Sequence, residues 1–325
     1  MKQFTNTVFQ SQEEMKKQFV EHLRKRNIPS AFSYWGKDET DEWIHLCQSR
    51  EYAVYKNGLH VLHENLPPIL QEHLPHKKRI DVVSLGIGNG IKDAFLLQEI
   101  SKQSPCHYFP VDISISMMES GMKNIPNITD AHSFIADFHT FPDITDHIRT
   151  EYGSHQQLIS ILGNTLGNFG QIDILNILWK GMKPGDFLLL EITTRNERGN
   201  KIHAESLTRI LESYNNQAYK DFVFASLKKA GFTQNEGIIE VEYGPNPFYP
   251  KLFSIETWFH LKKDMTAHYF GEEMVFKKDE RILLYTSHKY TPENITELLD
   301  GNGFEVLSTF FGEESDMGLI LSTKR

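Results

Sequence analysis

A few short stretches of this chain combine glycines, carboxylates and carboxamides in patterns that suit ligand binding or catalysis. The first is Val82-Val-Ser-Leu85-Gly86-Ile-Gly88-Asn-Gly90-Ile-Lys92, a β-rich run that opens into a glycine-rich turn. Glycine there lets the backbone approach a ligand with no Cβ in the way, and a helix begun just after it aims its N-terminus at negative charge. The pattern predicts a nucleotide-type cofactor site at Gly86 and Gly88. The dinucleotide fingerprint would need a third glycine where Ile91 stands, and a P-loop would need Lys directly after Gly with Ser or Thr following. Neither is met. A plain structural turn is the alternative. Next, Tyr108-Phe-Pro-Val111 ends in Asp112. A carboxylate at the tip of a second strand can accept both hydroxyls of a ribose diol, or it can cap the helix begun at 113–116. Ala136-Asp137-Phe138 then offers a carboxylate and a ring suited to an adenine amino group and face; a turn Asp beside a core Phe is the alternative. Last, Leu162-Gly163-Asn164-Thr165-Leu166-Gly167-Asn168-Phe169-Gly170 packs glycines and carboxamides into one loop. Asn both donates and accepts, so Asn168 is a candidate to floor a polar acceptor, with a sharp turn as the other use of such residues.

These groups need a scaffold, and the chain alternates strand-like with helix-like runs to supply one. Strands are expected at 79–85, 107–111, 132–136, 158–162 and 186–190, with helices at 93–101 and 171–180 among those between. That order predicts an α/β fold with a parallel sheet covered on both faces, and ligands bind beyond the carboxyl ends of such strands. Upstream, Met15, Phe19, Val20 and Leu23 recur at helical spacing and predict an amphipathic helix over 11–26, packed as a lid or cap. An aromatic-rich stretch follows to Leu66, where Pro67-Pro68 should interrupt any helix. After Thr193 the chain reads as polar helix through Tyr214 and Leu227, with Gly231-Phe232 as a helix end. Antiparallel strands are then expected at 264–270, 281–286, 304–310 and 318–322. The organisation expected is a helical leader (1–78), a cofactor-binding core (79–195), and a substrate-lobe insertion with C-terminal sheet strands (196–325).

Composition narrows the chemistry. The chain has 325 residues, 34 Lys+Arg against 43 Asp+Glu and a net charge of −9, which argues against electrostatic binding to nucleic acid or anionic lipid. A small-molecule partner is favoured. Cys47 and Cys106 are too few for a disulfide framework or a Cys-based zinc site, which suits a reducing cytoplasm. The first residues lack the apolar run of a secretory signal, and the densest apolar stretches are strand-sized. His60 with His63, or His73 with His76, has helix-compatible spacing for a metal but no third ligand in a known pattern, so no metal is expected. No GxSxG elbow is present.

Taken together, Leu85-Gly86-Ile-Gly88-Asn-Gly90-Ile-Lys92, Tyr108-Phe-Pro-Val111-Asp112-Ile-Ser114, Ala136-Asp137-Phe138 and Leu162-Gly163-Asn-Thr-Leu-Gly167-Asn168-Phe169 resemble the histidine-specific S-adenosylmethionine (SAM)-dependent methyltransferases. The resemblance covers about 80–191 and thins outside it. It implies a Rossmann-like class I methyltransferase sheet with a smaller second lobe, built from the N-terminal helices and the C-terminal antiparallel strands. It also implies SAM as cofactor and S-adenosylhomocysteine (SAH) as product, with SAM contacted by Gly86, Lys92, Asp112, Asp137 and Phe138. Lys92 would pair with the methionyl carboxylate, Asp112 with the ribose, and Asp137 with Phe138 would bracket the adenine. Asn168 would hold the main-chain groups of an amino-acid-like acceptor. Tyr214 is the nearest match for the family's pocket tyrosine; a packed aromatic on a helix face is its alternative. The family motif Glu-x-Ser-x-Lys-Phe/Tyr, whose Glu and Ser anchor imidazole, stands here as Tyr285-Thr-Ser287-His-Lys289-Tyr290. A phenol replaces a carboxylate, so Tyr285 and Ser287 predict a changed acceptor pocket. The expected reaction is in-line methyl transfer, with Asn168 and Tyr214 orienting an amine nucleophile. A non-catalytic SAM or SAH binder and a dinucleotide oxidoreductase are the rivals.

Overall fold

The computed structural model describes residues 5–125, 130–195, 204–246, 249 and 251–325. Its centre is an eight-stranded sheet. In chain order the elements begin with β1 (Thr5–Val8), α1 (Gln12–Arg24), α2 (Lys37–Gln48) and α3 (Ala53–His73). The alternating core follows as β2 (Ile80–Leu85), α4 (Ile91–Ser101), β3 (Cys106–Asp112), α5 (Ile115–Met122), β4 (Asp130–Ile135), α6 (Phe141–Tyr152), β5 (Gln156–Ile161), α7 (Gln171–Gly181) and β6 (Phe187–Thr193). Then come α8 (Ala204–Tyr214), α9 (Gln217–Lys228), β7 (Gly237–Pro245), β8 (Phe253–Leu261), β9 (Met265–Tyr269), β10 (Glu272–Phe276), β11 (Arg281–Lys289), α10 (Pro292–Gly301), β12 (Phe304–Gly312) and β13 (Met317–Lys324).

The spatial order is β1-β4-β3-β2-β5-β6-β13-β12. Strands β1 to β6 pair in parallel, and β13 runs antiparallel to both β6 and β12. The fold is therefore α/β and doubly wound, the class I methyltransferase type that the resemblance implies. Successive strands leave β2 in opposite directions, β3 and β4 to one side and β5 and β6 to the other, which makes the carboxyl end of β2 the switch point where such sheets bind ligands. β2 and β6 are buried along their whole length, as strands covered by helices on both faces must be. Separate from this sheet, β7, β8 and β11 form an antiparallel three-stranded sheet, and β9 with β10 forms a hairpin. Among the described residues no helix is long and apolar enough to cross a membrane.

Several sequence expectations need correction. Pro67-Pro68 does not interrupt a helix, because α3 runs through both. Each proline removes one i→i−4 hydrogen bond, and the carbonyls left over belong to His63 and Glu64, both exposed, so water can serve them. The amphipathic face of α1 does bury Met15, Phe19, Val20 and Leu23. It packs Phe19 on Tyr269 of the hairpin, at 5.3 Å between ring centroids, instead of lying over the β2 crevice. The elements that do reach the crevice are the turn at Ser30–Ser33 and the helices α2 and α3. Strands β1, β7, β8 and β10 were not anticipated. The polar segment after Thr193 is described at Thr194 and Arg195 and again from Ala204 onward, so the expected boundary at 195/196 adjoins residues outside the described set.

Candidate functional site

The glycine turn after β2 is held in a left-handed backbone, with φ of 87° at Gly86, 55° at Gly88 and 74° at Gly90. Space forces glycine at Gly90 as well, since a Cβ there would sit 2.1 Å from the Gly121 carbonyl oxygen. One strand over, Asp112 is buried and accepts the Ser114 N–H at 3.0 Å, together with the N–H groups of Gly88 and Ile113. It does not cap α5; Ser114 does that, its hydroxyl accepting the Met117 N–H at 3.2 Å. Burial pushes the Asp112 carboxyl up to about 7, against the pull of those three N–H groups. At the third tip Asp137 does make the turn that was its alternative, accepting the His139 N–H at 2.8 Å and bonding the His139 ring. Burial alone would raise it, but the two bonds from His139 hold it below its ordinary value. Phe138 is buried, its ring 5.3 Å from that of Phe169.

Lys92 is also buried, and its ammonium meets the carboxylate of Glu191 at the end of β6. Helix α3 crosses close above this pair at Gly58, where a Cβ would lie 1.9 Å from Glu191 Oε1 and 2.7 Å from Lys92 Nζ. Beside it Asp93 accepts from Ser84 Oγ at 2.8 Å and Tyr108 Oη at 2.6 Å, and burial pushes its carboxyl up to about 6.

The loop after β5 is a short 3-10 turn, Thr165–Asn168. Asn164 at its head takes a left-handed backbone, accepts the Thr193 N–H at 2.7 Å and donates to Ser287 Oγ at 3.1 Å. The loop is thereby pinned to β6 and β11. Gly167 lets it lie against β11, because a Cβ there would be 2.7 Å from the His288 carbonyl oxygen. Asn168 donates through Nδ2 to Tyr34 Oη at 3.4 Å, while its Oδ1 is buried with no partner among the described residues.

These parts line one cavity with an empty volume of about 870 Å³ counting its mouth. Gly86, Gly88, Lys92, Asp112, Asp137, Phe138 and Asn168 all face it. Tyr214, Tyr285 and Ser287 do not line it. They lie one layer behind Tyr34, whose hydroxyl is 2.7 Å from that of Tyr285. Ser287 Oγ is 3.2 Å from Tyr214 Oη, and Lys289 Nζ donates to both, at 2.6 Å and 2.8 Å. Burial pushes the Lys289 amine well below its ordinary value. Tyr214 is at once a packed aromatic, 5.0 Å from Tyr219, and a hydrogen-bonding member of this cluster. The residues that sequence reasoning missed are chiefly Tyr34 and Trp43 of the leader, with Asp93 and Met117. The aromatic richness of the leader was a signal, but it could not show which rings turn inward. Among the described residues no three His, Cys, Asp or Glu are grouped to hold a metal ion, and His63 stacks on Phe95 at 4.0 Å.

The family described as histidine-specific, SAM-dependent methyltransferases matches residues 15–324. The chain belongs to this family. The methyltransferase is 23% identical over 300 residues to an N-methyltransferase of Aspergillus fumigatus, covering 90% of this chain and 78% of the relative. It is 28% identical over 171 residues to an L-tryptophan methyltransferase of Psilocybe serbica, covering 50% and 45%. It is 21% identical over 315 residues to ergothioneine biosynthesis protein 1 of Schizosaccharomyces pombe, covering 93% of this chain but 40% of that protein. Among solved structures it is similar to a SAM-bound amino pentose methyltransferase of Micromonospora echinaspora, with a TM-score of 0.40 and 14% identity over 84% of this chain and 95% of that one.

Proposed function

We propose that this SAM-dependent methyltransferase methylates the amine nitrogen of a small amino-acid-like acceptor. The observation that carries the reading is Asn168 Oδ1, a buried acceptor with no partner among the described residues, on a side chain that faces the same cavity as Asp112 and the glycine turn. A buried unsatisfied carbonyl is costly, and an amine N–H would relieve it.

The residues present fit the cofactor. Asp112, a buried carboxyl raised to about 7, would be stabilised as a carboxylate by ribose hydroxyls. The turn at Gly86 and Gly88 leaves room beside it. Lys92 has donors to spare after Glu191 and would hold the methionyl carboxylate. Asp137 and Phe138 would take the adenine. Bound SAM supplies an activated methyl, which passes to nitrogen as the carbon–sulfur bond breaks, so the chain has only to bind, orient and exclude water. Asn168 Oδ1 takes one amine N–H and aims the lone pair. Tyr34 closes the cavity behind it, with Tyr285, Tyr214 and Ser287 setting the depth of the acceptor end. That wall presents phenols where the family has a carboxylate, which supports an acceptor with a neutral, flat side chain over histidine. The L-tryptophan methyltransferase among the relatives supports the same class.

The test is mass spectrometry of protein incubated with SAM and an equimolar pool of free amino acids, histidine and tryptophan included. The expected product is an N-methylated amino acid. No methylated amino acid despite SAM binding would refute the acceptor class and favour a non-catalytic binder.

A further inference from the structure

The leader brings to the cavity a donor that none of the described residues uses. Trp43 is 8% exposed, and its indole Nε1 is buried with no hydrogen-bond partner among the described residues. Its ring is packed by Tyr34, Phe222 and Tyr52, at 5.3, 5.5 and 6.1 Å between centroids, so its direction is set by packing. Two contacts locate the free N–H. Nε1 lies 3.5 Å from where a Cβ would stand on Gly88. One helical turn earlier on the same face of α2, Thr40 Oγ1 is 3.4 Å from Ser114 Oγ, the cap that follows Asp112. Gly88 and Ser114 are also two of the residues whose N–H groups Asp112 accepts. The indole donor therefore overlooks the turn that frames the Asp112 carboxylate.

A hydroxyl that donates its hydrogen to a carboxylate keeps lone pairs to accept another bond. Resting on the SAM reading above, we infer that Trp43 donates its indole N–H to a ribose hydroxyl whose own hydrogen goes to Asp112. The diol is then held between core and leader: the core supplies the acceptor, and α2 supplies the donor. A buried donor left unsatisfied destabilises the closed leader in the free protein. The cofactor removes that penalty, so the leader docks best over loaded cofactor.

Calorimetry of SAH and of its 2′,3′-dideoxy analogue, on the wild type and on Trp43→Phe, tests this. Phenylalanine keeps the ring packing and removes the donor. The expected result is roughly a three- to tenfold loss of SAH affinity in the variant, with no loss for the dideoxy analogue. Equal losses for both ligands, or none for SAH, would overturn the proposal. Wild-type protein gives an independent readout by NMR. The Trp43 indole N–H resonance should move downfield with SAH and not with the dideoxy analogue, and an unmoved resonance at saturating SAH would also overturn it. Absence of any SAH binding to the wild type would remove the SAM reading itself, an outcome distinct from binding that ignores Trp43.

Discussion

The buried carboxyl of Asp112 makes cofactor affinity depend on pH in a way that can be worked out in advance. Burial pushes it up to about 7, whereas accepting two ribose hydroxyls requires the ionised form. In the free protein it is then roughly nine-tenths protonated at pH 6 and roughly nine-tenths ionised at pH 8. Binding selects the ionised fraction, so the SAH dissociation constant should be about tenfold larger at pH 6 than at pH 8. The sign follows from ligand binding favouring the deprotonated carboxylate, so affinity is lost as pH falls. Asp112→Asn removes the titration and the charge-assisted bonds, worth about 1.5–3 kcal/mol, so affinity at pH 8 should fall by roughly ten- to a hundredfold. Asp93 faces the same cavity and is pushed up to about 6, so a residual slope centred near that pH in Asp112→Asn belongs to Asp93. Calorimetric titration with SAH from about pH 5.5 to 8.5 reads all of this. A flat wild-type profile, or a variant with the wild-type slope, would refute the assignment of Asp112 to the diol.

Other outcomes follow from particular contacts. Asn168→Ala should lower kcat/KM for the acceptor by about ten- to a hundredfold while leaving SAH affinity in place; a matching loss of SAH affinity would put Asn168 on the cofactor instead. Gly58→Ala would drive a Cβ into the buried Lys92–Glu191 pair and should destabilise the fold by about 1–3 kcal/mol or more, read as a lower Tm; an unchanged Tm would mean that α3 can move off the pair. Tyr285→Glu restores the carboxylate of the family motif beside the Tyr34 hydroxyl, and should raise turnover of histidine relative to that of the preferred acceptor. Competition assays on folded variant protein check this, and an unchanged ratio would show that position 285 does not read the acceptor.

Much of the proposed cofactor half of the cavity was legible in the sequence, because its signals are local. A β-rich run ending in Gly86-Ile-Gly88-Asn-Gly90 predicts a strand, a tight turn and a helix whatever the rest of the chain does, and the structure has β2, that turn and α4 in place. Asp112, Asp137 and the loop to Asn168 are legible for the same reason, each standing where a buried strand stops. The alternation of runs even marked the parallel core. Less of the periphery was readable: the edge strand β1 is only Thr5–Val8, and β7 and β8 went unseen although Ile239 and Val241 alternate with charges. Pro67-Pro68 misled because a helix tolerates lost bonds where water reaches the freed carbonyls.

The strand tips and the chemistry they can offer are thus written locally in the chain, since turn geometry and burial of a strand depend on near neighbours. What closes the cavity and what lies behind it come from long-range packing. Tyr34 meets Tyr285 across 251 positions of sequence, and Lys92 meets Glu191 across 99. No periodicity encodes such pairs, because a helix pattern shows which face is apolar and not what that face will touch. The packing of the leader on the core set the inward turn of Trp43. Packing also drew Tyr214, Ser287 and Lys289 into one buried cluster, where desolvation and not sequence spacing sets the protonation of the amine.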